Sequence, residues 1–256
     1  MIPLPPAFLG PPIAHRGYHD RDAGRPENSR AAFEAAIAAG YGIECDVQLS
    51  ADGRAMVFHD YDLRRLTPET GPVRSRSAAD LARIQLRFSD ETVPTLAEVL
   101  ELVAGRVALL VEIKDQDGAM GPDVGALEAA VAADLEGYAG PVAVMSFNPH
   151  SVAAFAAAAP GVARGLTTSA WAARDWETIP AATRERLRGI PDYDRLGASF
   201  VSHEAGDLAR PRVAGLKAAG AAVLCWTIRS PEAEAEARRI ADNVTFEGYA
   251  AAVPGA

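Results

Sequence analysis

The chain predicts an α/β fold, a single-domain (β/α)8 TIM barrel, and three observations predict it. Short, nearly continuous apolar runs alternate with alanine-rich helical segments, the signature of strands buried on both faces of a parallel sheet. Eight such runs fit within the 256 residues, and about 250 residues is the usual size of an eight-stranded barrel. A ninth run follows its predecessor too closely for a crossover helix, so it is predicted as a β-hairpin overhanging the C-terminal mouth after the second strand. A doubly wound open sheet is the alternative that the same alternation allows. No internal repeat or low-complexity linker divides the chain, and one domain is expected over residues 1–256.

The opening MIPLPPAFLGPP has no charged start, and prolines interrupt its apolar residues, which suits an irregular lead-in and not a signal peptide. PIAH at 12–15 is the first strand. In ENSRAAFEAAIAAG, Asn28 or Ser29 serves as N-cap, Phe33, Ala36 and Ile37 share a face, and Gly40 ends the helix. The second strand, GIECDV at 42–47, leads through QLSADGR to AMVFHD. Only Asp52-Gly53 separates the two as a turn, so an antiparallel hairpin is predicted, with His59 opposite Asp46. In PTLAEVLELVAG, Thr95 and Glu98 make a capping box and Gly105 closes the helix. Further strands are expected at 106–114, 141–147, 163–168, 198–203, 221–228 and 243–248. Proline just inside the start marks the helices in FNPHSVAAFAAAAP and SPEAEAEARRIADN. The stretch from Trp171 to Leu196 exceeds a simple crossover and is expected to cap the barrel mouth.

With 49% apolar residues the composition is globular, and a formal charge of −9 without any lysine and arginine cluster argues against a nucleic-acid partner. An anionic small substrate would need a local positive patch. No apolar run approaches the roughly 18 residues that span a bilayer, so no membrane insertion and a cytoplasmic location are expected. Cys45 and Cys225 lie inside apolar runs, as buried free thiols in a reducing compartment do.

Glu44 and Asp46 stand two apart on one strand, so they project together at about 6.6 Å spacing while Cys45 points away. Two carboxylates buried there repel, and leaving them unpaired would cost several kcal/mol, so a cation is expected between them. Glu112 supplies a third carboxylate at the end of another strand. Oxygen donors without cysteine or an evident histidine ligand suit Mg2+ or Ca2+ better than zinc; salt bridges to nearby arginine and lysine are the alternative. His15 ends the first strand and His59 the hairpin. Two imidazoles at one mouth are able to divide acid and base roles. Arg16 and Lys114 would offset the acids and hold an anionic substrate, or serve only as counter-ions. His19, Asp20, Arg21 and Asp22 suit a solvated loop, and His150 and His203 carry no expected chemistry.

The series AHRG, PENS, IECDV, DG, VFHD, then LVEIK and LCWTI closely resembles the glycerophosphodiester phosphodiesterases, whose pattern is HRG, PENT, E-x-D, a DG turn, HD and E-x-K. The match is densest from Ala14 to Asp60. The resemblance implies a barrel enzyme, a phosphoric diester hydrolase that cleaves glycerophosphodiesters to glycerol 3-phosphate and an alcohol with a divalent cation. It implies Glu44, Asp46 and Glu112 as metal ligands, His15 and His59 as the acid/base pair, and Arg16 and Lys114 as phosphate-binding residues. Trp226 matches a substrate-lining aromatic, and Glu27 and Asn28 match a motif with a supporting hydrogen-bond role. The implied chemistry is attack of a neighbouring glycerol hydroxyl on phosphorus to give a cyclic phosphate that water then opens. A lysophospholipid head-group phosphodiesterase is the alternative substrate reading, and a non-catalytic phosphate-binding barrel a third. Phe246-Glu247 replaces the family's usual Thr-Asp, which predicts an altered pocket at the end of the last strand.

Overall fold

Eight parallel strands close on themselves in this computed structural model, which describes residues 1–254. In chain order the elements are β1 (Ile13–Ala14), α1 (Arg30–Ala38), β2 (Gly42–Leu49), β3 (Ala55–Val57), α2 (Ala78–Leu81), α3 (Leu96–Val103), β4 (Leu109–Ile113), α4 (Ala126–Asp134), β5 (Val142–Ser146), α5 (Pro149–Ala158), β6 (Ala163–Thr168), α6 (Ala181–Arg188), β7 (Phe200–Glu204), α7 (Pro211–Ala218), β8 (Ala222–Ile228), α8 (Pro231–Ala237) and β9 (Asn243–Phe246). Pairing runs from β1 through β9, β8, β7, β6, β5 and β4 to β2, and β2 returns to β1. The barrel is therefore present and the open sheet is not.

β1 is so short that it pairs only with Gly42 and Ile43 of β2. An edge left beyond it would carry unpaired N–H and C=O groups. β3 covers that edge from Val47 to Leu49 as an antiparallel strand, continuing the barrel wall where β1 stops.

The hairpin register differs by one residue from the sequence expectation. Val57 opposes Val47, and the Phe58 N–H donates to the Asp46 carbonyl at 2.9 Å, so Phe58 and not His59 faces Asp46. The cause is the loop. The Ser50 N–H donates to the Arg54 carbonyl at 3.0 Å, which encloses Ala51, Asp52 and Gly53, the last at φ +80°. A left-handed glycine closing a three-residue loop adds one position to the two-residue turn read from the sequence. His59 still reaches the mouth, because it follows the paired segment.

Alternation along the strands separates two apolar layers. Ile43, Cys45, Val47, Val111 and Ile113 face outward under the helices, with Phe33, Leu96, Val99 and Leu127 among their partners. Ile13, Leu110, Met145, Phe200 and Leu224 fill the interior together with Leu4 and Phe8. The lead-in is thus a plug: its turn Pro6–Leu9 buries Phe8 completely, and Asn243 Nδ2 donates to the carbonyls of Phe8 and Pro11 at 2.7 and 2.8 Å. Cys45 and Cys225 are buried and free. Between β3 and α3 the chain builds a small second core from Met56, Phe58, Leu63, Leu81 and Leu86. Trp171, Ile179 and Leu187 pack on Met120, with Phe147 and Trp176 against them, so the long stretch before β7 covers part of the mouth. Among the described residues no helix is long and apolar enough to cross a membrane.

Gly165 on β6 reports on how tightly the interior is filled. A Cβ there would lie 2.5 Å from the ring of the fully buried Phe200. Gly165→Ala is expected to destabilise the barrel by about 1–3 kcal/mol, the usual range for an overpacked core, with part of the loss recovered when Phe200→Leu is added. Chemical denaturation midpoints measure both effects, and an unchanged midpoint for the single variant would contradict this packing.

Candidate functional site

β2 aims Glu44 and Asp46 inward, and the β2 to β4 register sets Glu112 directly beside Asp46. One oxygen from each of the three carboxylates lies within 4.8 Å of the others, and all three residues are buried. Burial, then the neighbouring Asp46 and Glu112, push the Glu44 carboxyl well above its ordinary value. For Asp46 burial pulls the same way, but Lys114, His59 and Arg16 outweigh it and hold the carboxyl well below the usual range. Three converging carboxylate oxygens of this kind could hold a metal ion, whose charge would offset their mutual repulsion.

The two motifs N-terminal to this cluster act on it through the Arg16 N–H and the Asn28 side-chain amide. Arg16 and Asn28 both take left-handed conformations, at φ +55° and +57°. Non-glycine residues held there store strain of about 1–3 kcal/mol and collect at functional sites. The strain is offset locally: the Arg16 N–H donates to Glu44 Oε2 at 2.9 Å, and the Asn28 N–H to the Arg16 carbonyl at 2.9 Å. Asn28 Nδ2 donates to Asp46 Oδ2 at 2.9 Å, while its Oδ1 accepts from the Asp46 N–H at 3.2 Å. A Cβ on Gly17 would meet Ala32 and Phe33 at 2.9 Å, which explains the glycine after His15-Arg16.

Both histidines reach the mouth, each with a carboxylate behind it. His15 Nδ1 lies 2.5 Å from Glu247 Oε2, and His59 Nδ1 lies 2.7 Å from Asp60 Oδ1. An ionised carboxylate only accepts, so each Nδ1 carries the hydrogen and each Nε2 is left for the cleft. Burial lowers the His15 pKa from the ordinary 6.5, against the opposing effect of its hydrogen bond to Glu247. Asp60 accepts in turn from Arg65 Nε at 2.6 Å, and Arg65 and Arg16 both donate to Glu27 at 2.7 Å. Glu27 therefore ties the His59 support to Arg16.

Glu247, Asp60, Arg65 and Arg229 are site residues for which the sequence predicts no role. The Phe246-Glu247 departure does less to the site than its letters suggest. Phe246 turns outward into rings from Tyr18, Tyr41 and Tyr249, and Glu247 keeps a carboxylate at the strand end, where Arg229 also pairs with it at 2.7 Å. A carboxylate following the last barrel strand was the available signal. His19, expected in a solvated loop, is half-buried with Nε2 at 3.6 Å from Glu247. His203 is buried between Thr168 and Asp207, as a structural residue is.

Lys114 Nζ donates to Glu112 Oε1 at 2.7 Å and lies 3.4 Å from Asp46 Oδ1. Burial would lower its pKa, but Glu112 and Asp46 prevail and keep it raised and charged. Arg16 Nε sits 3.3 Å from Asp46 Oδ2 yet makes no hydrogen bond. Three carboxylates against these two cations leave one negative charge, which a divalent ion would turn positive. The groups surround a cleft of about 180 Å3 that Trp226 also lines. Beside it, a cavity of about 550 Å3 is walled by Tyr61, Met120, Phe147, Trp176 and Trp226 and shares His59, Glu112 and Lys114 with the cleft.

Residues 15–245 match the model of the glycerophosphoryl diester phosphodiesterase family. A glycerophosphodiester phosphodiesterase of Bacillus altitudinis is 41% identical over 109 residues, 40% of this chain and 43% of the relative. One from Caldanaerobacter subterraneus subsp. tengcongensis is 38% identical over 110 residues, 40% of this chain and 44% of the relative. These alignments span under half the length of those relatives. Among solved structures, an Oleispira antarctica phosphodiesterase in complex with the product sn-glycerol-3-phosphate superposes with a TM-score of 0.76 and 27% identity, covering 94% of each chain.

The pairing of His15 with Glu247 has a direct readout in the metal-free protein. His15 is expected to titrate below 6.5 by NMR, and Glu247→Gln to lower it further, because the carboxylate is what raises it against burial. A His15 pKa indifferent to the substitution would contradict the pairing, and one at or above the ordinary value would contradict the dominance of burial.

Proposed function

The chain belongs to the glycerophosphoryl diester phosphodiesterase family, and from that premise we propose that it is a single-domain enzyme hydrolysing glycerophosphodiesters to glycerol 3-phosphate and an alcohol. The observation that carries the proposal is the convergence on one cleft of Glu44, Asp46 and Glu112 with two carboxylate-backed imidazoles and two cations. The product bound by the Oleispira antarctica structure supports the substrate class. The buried free thiols support a reducing compartment, the cytoplasm.

In this reading Glu44, Asp46 and Glu112 hold Mg2+ or Ca2+, which when bound supplies Lewis-acid stabilisation of phosphoryl charge. Arg16 and Lys114 bind the non-bridging oxygens, and the buried Arg16 Nε has a donor to give. Burial favours the neutral form at His15, so its Nε2 takes the proton of the neighbouring glycerol hydroxyl as that oxygen bonds to phosphorus. The bond from phosphorus to the alcohol breaks as protonated His59 delivers its Nε2 proton to the departing oxygen. Water opens the cyclic phosphate with the two roles reversed. Glu247 and Asp60 keep both rings oriented and stabilise whichever carries charge.

A second substrate reading has its own support. The apolar walls of the 550 Å3 cavity beside Lys114 suit the acyl portion of a lysophospholipid.

A panel of water-soluble glycerophosphodiesters and lysophosphatidylcholine, assayed with and without chelator, tests both readings. Release of glycerol 3-phosphate that disappears with the metal, and that falls by about 10²–10⁴-fold in His59→Ala, is the expected result. Preferential release of choline and lysophosphatidate from lysophosphatidylcholine would favour the second reading. No metal-dependent release from any diester would overturn the activity.

A further inference from the structure

The loop after β1, the segment after β3 and the loop before α3 enclose a groove of about 300 Å3 lined by His19, Arg21, Arg25, Arg65, Arg87 and Phe88. This is a local concentration of positive charge on a chain whose formal charge is −9. Two of the guanidinium groups are engaged: Arg65 bridges Glu27 and Asp60, and Arg25 pairs with Asp20 at 3.4 Å. Among the described residues Arg21 and Arg87 form no ion pair, and both are exposed. Glu27, the carboxylate that lines the groove, is already neutralised by Arg16 and Arg65.

The groove is also built around an unusual residue. Phe88 is 63% exposed and sits at φ +66°, a strained conformation for a bulky aromatic. Its loop is pinned on both sides, by the Leu86 N–H donating to the Glu91 carbonyl at 2.7 Å and the Arg87 N–H to the Leu66 carbonyl at 2.8 Å. So held, the ring is a platform: the Arg21 guanidinium carbon lies 3.8 Å from its centroid. A guanidinium stacked in this way keeps its in-plane N–H groups available for an oxyanion.

We infer that this groove is a second anion site, binding a phosphate-type oxyanion through Arg21 and Arg87. It adjoins the active site through Glu27, which Arg16 also binds, and through His19, which lies 3.6 Å from the Glu247 that holds His15. The oxyanion is either a second phosphate on the substrate, beyond the diester being cleaved, or free phosphate. The first source rests on the proposed phosphodiesterase activity; the second does not.

The full chain and an Arg21→Gln/Arg87→Gln variant separate these cases. Titration calorimetry with inorganic phosphate alone is expected to show a binding component in the native protein that the variant loses and that high salt weakens. Identical isotherms for the two proteins would overturn the inference. Kinetics on glycerophosphoglycerol and on the same diester bearing a terminal phosphate then identify the source. If the ligand is the substrate's second phosphate, the native protein has a roughly tenfold lower KM for the phosphorylated diester, equivalent to about 1.4 kcal/mol. The variant loses that preference and keeps its kcat and KM on glycerophosphoglycerol. Equal KM values, with the calorimetric loss retained, assign the groove to free phosphate. Inactivity on both diesters, with the calorimetric loss retained, would count against the activity and leave the groove standing.

Discussion

Mutual repulsion of three buried carboxylates is the constraint on which the rest of this molecule depends. Glu44, Asp46 and Glu112 are forced together by strand alternation and by the β2 to β4 register, and burial penalises each charge further. The surroundings are arranged to offset that penalty. Lys114 follows the strand that carries Glu112, Arg16 comes from the turn after β1, and Asn28, just ahead of the first helix, locks Asp46. The left-handed backbone at Arg16 and Asn28 makes sense only in this light, since it aims an N–H at Glu44 and a side-chain amide at Asp46.

The barrel closes in a way that serves the same cluster. A full-length β1 would have covered the outer half of β2 and removed the place for β3. Because β1 ends at Ala14, His15 and Arg16 are released beside Glu44, and the hairpin that takes the freed edge brings His59 back to the same mouth. The two imidazoles thus arrive from the two segments that share one edge of β2. Each meets a carboxylate from a different part of the chain, Glu247 after the last strand and Asp60 after the hairpin.

Much of this was legible in the residue order, for physical reasons. Period-two alternation separates Glu44 and Asp46 from Cys45 regardless of tertiary detail, and a crossover helix does not fit between Leu49 and Ala55. What stayed hidden depends on contacts between distant segments. The hairpin register turned on one left-handed glycine, Gly53, that makes a three-residue loop look like a two-residue turn in the letters. Glu247 is 232 positions from His15, so no local pattern couples them. The lead-in carried no periodicity because its task is to seat one ring, Phe8, in the barrel floor. Arg21 and Arg87 lie on separate loops with ordinary charge neighbours in sequence, and only the fold sets them around Phe88.

Anomalous diffraction from crystals soaked in Mn2+ addresses the carboxylate cluster most directly. One strong peak is expected, with an oxygen of Glu44, of Asp46 and of Glu112 each at about 2.0–2.6 Å, the range of hard cations bound to carboxylates. A cluster without a peak at saturating Mn2+, or an ion bound elsewhere while the Lys114 ammonium stays between Glu112 and Asp46, would contradict it.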